Sequence, residues 1–350
     1  MKREIVIFKG MTDTLDARSM EPGMNESSSL HGERANEHKK RCLLGEPSKP
    51  DVDCLVVGGG PAVLLAAVYL GRYRRRVRVI DAGASRAALI PESHNYPGFA
   101  GIGGLELLRR LRGQACHYGA ELTSGKVSAL RIDRSGTFVA RIGDRDLRTA
   151  HVLLATGLVD HRPQVEGFGR DHTLDVVRFC PICDGYEFID RRIAVLGDLD
   201  TAGRKALFLR TYSNSVFLFV TNEICDESER ADELRRAGAT VVGKLHSISC
   251  TGTGPASVFT EAGGRHEVDV IYPAFGCTVG SQLATALGAH STAAGTLLVN
   301  EHQLTTVPNL YAAGDVVTDL HQLSVAFGHA AIAATDIHNQ LPCNPRSGPR

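Results

Sequence analysis

The chain has no excess of either charge: 39 basic residues balance 39 acidic ones, so no global field draws it to nucleic acid or to an acidic membrane surface. It also lacks a long apolar run. The longest, Ala62 to Leu70, falls far short of the roughly 20 residues that span a bilayer, which argues against a membrane protein. Near the start, Lys2 and Arg3 precede Ile5 to Phe8. That stretch is shorter than the apolar core of a secretory signal, about 7 to 15 residues, and no small-residue cleavage pattern follows it. Cysteine is neither dense nor even in number. Nine are spread over 350 residues, unlike the framework of a small secreted domain, and a reducing cytoplasm is the expected location.

What is present is enough for a large core. With 43% hydrophobic residues over 350 positions, the length favours two domains over one, and the near-zero net charge tolerates self-association. Residues 1–50 are polar and charged, with Ser27 to Ser29, Glu33 to Arg41 and Pro47 to Pro50, and their lack of a sustained apolar period predicts a disordered extension. From Asp51 onward short β-branched strands, glycine turns and apolar helices alternate, the pattern of an α/β domain.

Cys180, Pro181, Ile182, Cys183 and Asp184 form the one stretch able to do covalent chemistry by itself. Two cysteines separated by two residues can close a small disulfide ring, and thiol exchange proceeds when one sulfur is an accessible thiolate and the other resolves the mixed disulfide. The same spacing is half of a zinc site, which needs two further ligands from a second Cys or His pair. No such pair stands out, since Cys42, Cys54, Cys116, Cys225, Cys250, Cys277 and Cys343 are isolated.

Val52 to Val57 reads as a buried strand, Gly58 to Gly60 as a turn and Pro61 to Leu70 as an apolar helix. Glycines let the backbone approach a pyrophosphate, whose charge is met by free amides and the positive end of the helix. Asp81 closes the next strand, Val77 to Ile80, about 20 residues on, where an acid accepts hydrogen bonds from ribose hydroxyls. Val63 stands at the third glycine position, and looser packing of helix on strand is expected there. The basic run Arg72 to Arg78 reads as a solvated helix end whose cations offset the negative pole.

Taken in order, the glycine turn, His94-Asn95-Tyr96-Pro97-Gly98-Phe99, Ala155-Thr156-Gly157, the dithiol with Asp184 and Gly185, and Tyr311-Ala312-Ala313-Gly314-Asp315 resemble the low-molecular-weight thioredoxin reductase family, from Asp51 to Leu341. The resemblance implies an α/β chain with two Rossmann-like dinucleotide-binding domains. The nicotinamide domain, residues 161–277, would carry the dithiol and be inserted into an FAD domain of residues 51–160 plus 278–342, with 343–350 as a tail. It implies FAD contacts at Gly58, Gly60, Pro61, Ala62, Asp81, Asn95, Thr156, Gly157, Gly314, Asp315, Gln322 and Leu323. It also implies that Cys183 faces the flavin, that Cys180 exchanges with substrate and that Asp184 moves the proton, with His94 and His321 as alternative carriers. A homodimer is implied as well. His321 stands where the family has an arginine, which removes a charge contact expected there.

The second dinucleotide site departs further. After the strand Ile193 to Leu196, Gly197 begins a turn and Ala202 fits the close-packing position, but Leu199 replaces a glycine and Asp198 and Asp200 flank it. The basic grip that relatives use for a 2'-phosphate is missing from Val220 to Asp226, where Glu223 and Asp226 stand instead, and carboxylates oppose a phosphate. Arg204, Lys205 and Arg210 are the cations left nearby. The leading expectation is a disulfide reductase that passes electrons from NADPH or NADH through FAD and the dithiol to a thioredoxin-like protein or small disulfide. The rivals are a flavin-dependent oxidase of small dithiols and a reductase with a non-nicotinamide donor.

Overall fold

The computed structural model describes residues 49–169, 176–221, 228–250 and 254–346. Residues 1–48 of the expected extension lie outside them, as do Glu223 and Asp226. β1 (Val52–Val57) is followed by helix α1 (Pro61–Arg72), β2 (Val77–Asp81), α2 (Gly104–His117), β3 (Glu121–Ser124), β4 (Val127–Ile132), β5 (Phe138–Ile142) and β6 (Arg145–Leu154). β1 pairs in parallel with β2 and β6, and its near-continuous apolar run is what a strand covered on both faces requires. Cys54 and Val56 pack with α1 residues on one face. Leu55 and Val57 pack with Phe138, Leu147 and Leu297 on the other.

The chain leaves this sheet through a short strand, β7 (Leu158–Asp160), and reaches a four-residue helix, α3 (Pro181–Asp184), that carries the dithiol. A second sheet is then built from β8 (Ile193–Gly197), helix α4 (Leu199–Leu209), β9 (Val216–Val220), α5 (Glu229–Arg236), β10 (Thr240–Ser249), β11 (Ala256–Thr260), β12 (Arg265–Val268) and β13 (Val270–Ala274). Its six strands run in the order β12-β11-β10-β9-β8-β13. β14 (Cys277–Val279) returns antiparallel to β7, with Cys277 opposite Asp160. After α6 (Gln282–Thr285), β15 (Leu310–Ala312) rejoins the first sheet beside β6, making it seven-stranded. The closing helix α7 (Leu323–Gln340) packs its alanines into the same cluster as α1. The second Rossmann-like unit is thus inserted into the first.

Two local expectations are corrected. Val63 is fully buried rather than loosely packed, because Gly58 leaves the space: a side chain there would meet the Val63 methyl at 2.9 Å. In the Arg72–Arg78 run, Arg72, Arg74 and Arg76 are exposed, as a solvated helix end requires, but Arg75 is not. Arg75, 8% exposed, donates to the Pro342 and His338 carbonyls at 2.8 and 3.0 Å. Arg76 pairs with Asp53 at 2.7 Å and Arg78 with Glu121.

Candidate active site

A cavity of about 640 Å³ opens where β1, β2 and the Ala313–Asp315 turn meet α3. Gly58, Gly60, Pro61, Ala62, Asp81, Asn95, Thr156, Gly157, Gly314, Asp315, Gln322 and Leu323 all line it, together with Cys180, Cys183 and Asp184. Gly197 and Ala202 do not. They lie on β8 and α4 of the inserted unit.

The cradle has the shape a dinucleotide needs. Gly58 takes φ +128°, and a side chain there would lie 2.5 Å from the Ala155 carbonyl oxygen. At Gly59 a side chain would fall 2.0 Å from the Asp81 carboxylate, so only bare backbone fits beside that acid. α1 begins at Gly60 and Pro61 with no side chain bonded over its first amides, which leaves its positive end for an anion. Asp81 accepts from the Gly83 amide at 2.7 Å and pairs with Arg112. At the other wall Arg86 makes a two-point pair with Asp160 at 2.6 and 3.0 Å and stands 3.6 Å from Asp315. Burial raises the Asp315 carboxyl, while His321 and Arg86 oppose that rise. Thr156 and Gly157 close the wall by bonding Gly280.

Cys180 and Cys183 are joined in a disulfide. Pro181 sits at the first helical position of α3, where its missing N–H is no loss, and the Cys183 amide donates to the Cys180 carbonyl at 3.0 Å. Gln322, immediately before α7, points its amide Nε2 at both sulfurs, 3.5 Å from Cys180 Sγ and 3.4 Å from Cys183 Sγ. Asn95 donates to Gln322 Oε1 at 2.9 Å and to the Ile182 carbonyl at 3.4 Å. A chain of two amides therefore ties the first unit to the disulfide of the second.

Asp184 adjoins the disulfide and is held from two sides. The Tyr272 hydroxyl donates to its Oδ1 at 2.7 Å, and Arg178 Nε lies 3.5 Å from Oδ2. Burial pushes its carboxyl up to about 6, with the Tyr272 and Arg178 contacts pulling the other way. A group that exchanges its proton in that range is matched to thiol chemistry near neutrality. Lys205, lowered to about 8 by burial, donates to the Pro273 carbonyl at 2.7 Å and to the Phe179 carbonyl at 3.3 Å, which ties β13 to the residue before Cys180. Of the histidines, His94 is bound to the Ala100 carbonyl at 2.7 Å, and His321 lines the cavity.

Sequence reasoning did not single out Arg86, Arg178 or Tyr272. The available signal for Tyr272 was one hydroxyl in the otherwise apolar strand β13. Lys205, read as a candidate nicotinamide contact, is committed to two backbone carbonyls. Arg210 likewise donates to the Ala237 carbonyl at 2.8 Å and to Ser213. Among the described residues no cluster of His, Cys, Asp or Glu has the arrangement of a metal site.

At the second turn the helix end is already taken. The Asp198 carboxylate caps α4, accepting from the amides of Asp200 and Thr201 at 3.1 and 2.8 Å. Leu199 packs against the core of the inserted unit. The described residues at this turn do not fit a nicotinamide pyrophosphate, because the donors it would use are satisfied by an anion of the protein's own.

Comparison with known proteins agrees with this architecture. A thioredoxin reductase of Aquifex aeolicus (strain VF5) is 29% identical over 84% of this chain and 95% of its own length. One of Mycolicibacterium smegmatis is 28% identical over 83% and 96%. Among solved structures, that of HlmI superposes with a TM-score of 0.77 at 29% identity, covering 83% of this chain and 92% of that one. The profile of the pyridine nucleotide-disulphide oxidoreductases matches residues 52–333, and the chain belongs to that family.

Proposed function

We propose that the chain is a flavin-linked thiol–disulfide oxidoreductase of the thioredoxin reductase type, working in the cytoplasm as a homodimer. The observation that carries this reading is the Cys180–Cys183 disulfide on the wall of a glycine-lined cavity, beside a buried acid. FAD is the group that the cradle of Gly58 to Ala62, with Asp81 and Asp315, would hold, and when bound it supplies a two-electron carrier beside the disulfide.

The protein's own residues then do the following. In the reducing direction the Cys180 thiolate attacks one sulfur of a partner disulfide, the partner's second sulfur leaves, and Asp184 supplies the proton it takes. Cys183 next attacks Cys180, which re-forms the Cys180–Cys183 disulfide and releases the partner as a dithiol. Gln322 positions both sulfurs through its amide, and Tyr272 and Arg178 fix the acid. The partner in this direction is a thioredoxin-like protein or a small disulfide, and the relatives named thioredoxin reductase, matched over nearly their whole length, support it. A second reading, the same exchange run in reverse on a small dithiol, is favoured by the capped helix end at Asp198.

Cys180→Ser and Cys183→Ser test the shared core. Each variant is expected to keep its flavin absorbance and lose turnover of dithiols and disulfides alike. Full activity in either would overturn the dithiol mechanism.

A further inference from the structure

The two strand–turn–helix units of this chain differ at the feature that a dinucleotide reads. α1 offers its first turn uncapped by any side chain. α4 starts at Asp198, whose carboxylate accepts from the two amides in reach of it. A pyrophosphate placed there must displace that carboxylate while the charge remains next to it. Two like charges held that close repel, and more strongly at a protein surface than in bulk water. Leu199 adds bulk at the same turn, its partly buried side chain packed against the core of the inserted unit.

The rim beyond α4 is no more welcoming. Asp200, Glu229, Asp232 and Glu233 face it against two arginines, Arg230 and Arg236. Arg230 is paired with Glu233 and lies 3.9 Å from Asp200. Of the other basic groups of the helix region, Lys205 and Arg210 are held by carbonyls, and among the described residues Arg204 stands alone as an exposed cation on α4.

We infer that the inserted unit accepts no nicotinamide dinucleotide, and that electrons enter this protein from a dithiol substrate at Cys180–Cys183. The inference rests on the flavin-linked thiol–disulfide reading above and fixes its direction. A substrate thiolate attacks Cys180 and breaks the Cys180–Cys183 bond, and the substrate's second thiol displaces Cys180 from the mixed disulfide. The substrate loses two electrons and two protons and leaves as a disulfide, while the two cysteines become thiols. Re-forming their disulfide would hand two electrons and two protons to FAD held by the Gly58–Ala62 cradle, which would supply their transfer to dioxygen, released as hydrogen peroxide.

The test uses the purified yellow holoprotein. NADP+ and NAD+ are titrated by calorimetry, and NADPH, NADH and dithiothreitol are added separately without oxygen while the flavin absorbance is followed. The expected result is no nucleotide binding tighter than about 1 mM, no bleaching by either reduced nucleotide, and prompt bleaching by dithiothreitol with peroxide formed once air is admitted. The double variant Asp198→Gly/Leu199→Gly is expected to bind one of the nucleotides at least about tenfold more tightly while its response to dithiothreitol is unchanged. Bleaching of the wild type by NADPH or NADH overturns the inference and leaves the flavin-linked reading standing. Failure of dithiothreitol to bleach overturns that reading itself, and the inference with it. A folded double variant with no gain in affinity overturns the assignment of the block to these two residues, and if that variant does not fold the wild-type titration decides alone.

Discussion

Asp184 titrates where its surroundings place it. Burial raises its carboxyl to about 6, and the groups facing it are Tyr272 from β13, Arg178 from the segment before α3, Glu187 from the turn after it, and Lys205 from α4. The Tyr272 hydroxyl donates to the carboxylate and so favours the ionised form. Tyr272→Phe is therefore expected to move the pH limb of thiol exchange, measured in single turnovers, upward by about one unit or more, the worth of one hydrogen bond to a charged group. A limb that stays in place would remove Tyr272 from the account. Asp184→Asn supplies the comparison. Because the folded carboxyl lies above its unfolded value, the stability it contributes is full below about pH 4 and lost as pH rises through about 6. The amide is expected to unfold about 2 to 3 kcal/mol harder than wild type at pH 8, with the gain shrinking toward pH 4, while exchange slows. The cysteines and Asp184 were legible because they are neighbours in the chain. Tyr272 was not, since 88 residues separate it from its partner and its strand otherwise reads as plain core.

Among the elements, legibility followed burial. The sequence reading placed β1 at its observed residues and α1 within two residues of its end, because both are apolar and bounded by glycines. β3 and β4 carried no such signal, as most of their residues are exposed and a half-wet strand shows too few apolar positions to count a period. Within the arginine run after α1, Arg75 misled for another reason. A guanidinium that reaches carbonyls more than 260 positions away looks, in sequence, like any solvated charge. Arg75 fastens the end of α7 to the start of β2, so Arg75→Met, which keeps much of the side-chain volume, is expected to lower stability by about 2 to 3 kcal/mol. Denaturant unfolding measures this, and a loss within a few tenths of a kcal/mol would reduce the contact to surface decoration.

At the scale of the whole molecule, both glycine turns were legible as strand–turn–helix units, but only one of them kept an open helix end. The difference came down to Asp198, whose carboxylate adopts a capping geometry that composition cannot distinguish from an outward-facing charge. The order of strands in the two sheets, and the return of β15 to the first sheet beside β6, are long-range pairings that no local pattern records.

The β7–β14 ribbon has a consequence for chain surgery. Asp160 and Cys277 stand opposite each other in one antiparallel ladder, a spacing of about 5 Å that two turn residues such as Asn-Gly can bridge. Residues 161–276 can thus be cut out and the gap closed without moving either end. The shortened protein is expected to stay folded and yellow while losing all thiol exchange, as judged by circular dichroism and visible absorbance. A colourless or aggregated product would show that the inserted unit is a structural half of the molecule, whereas a yellow one would mark it as a removable cartridge, exchangeable between relatives at two neighbouring points of the backbone.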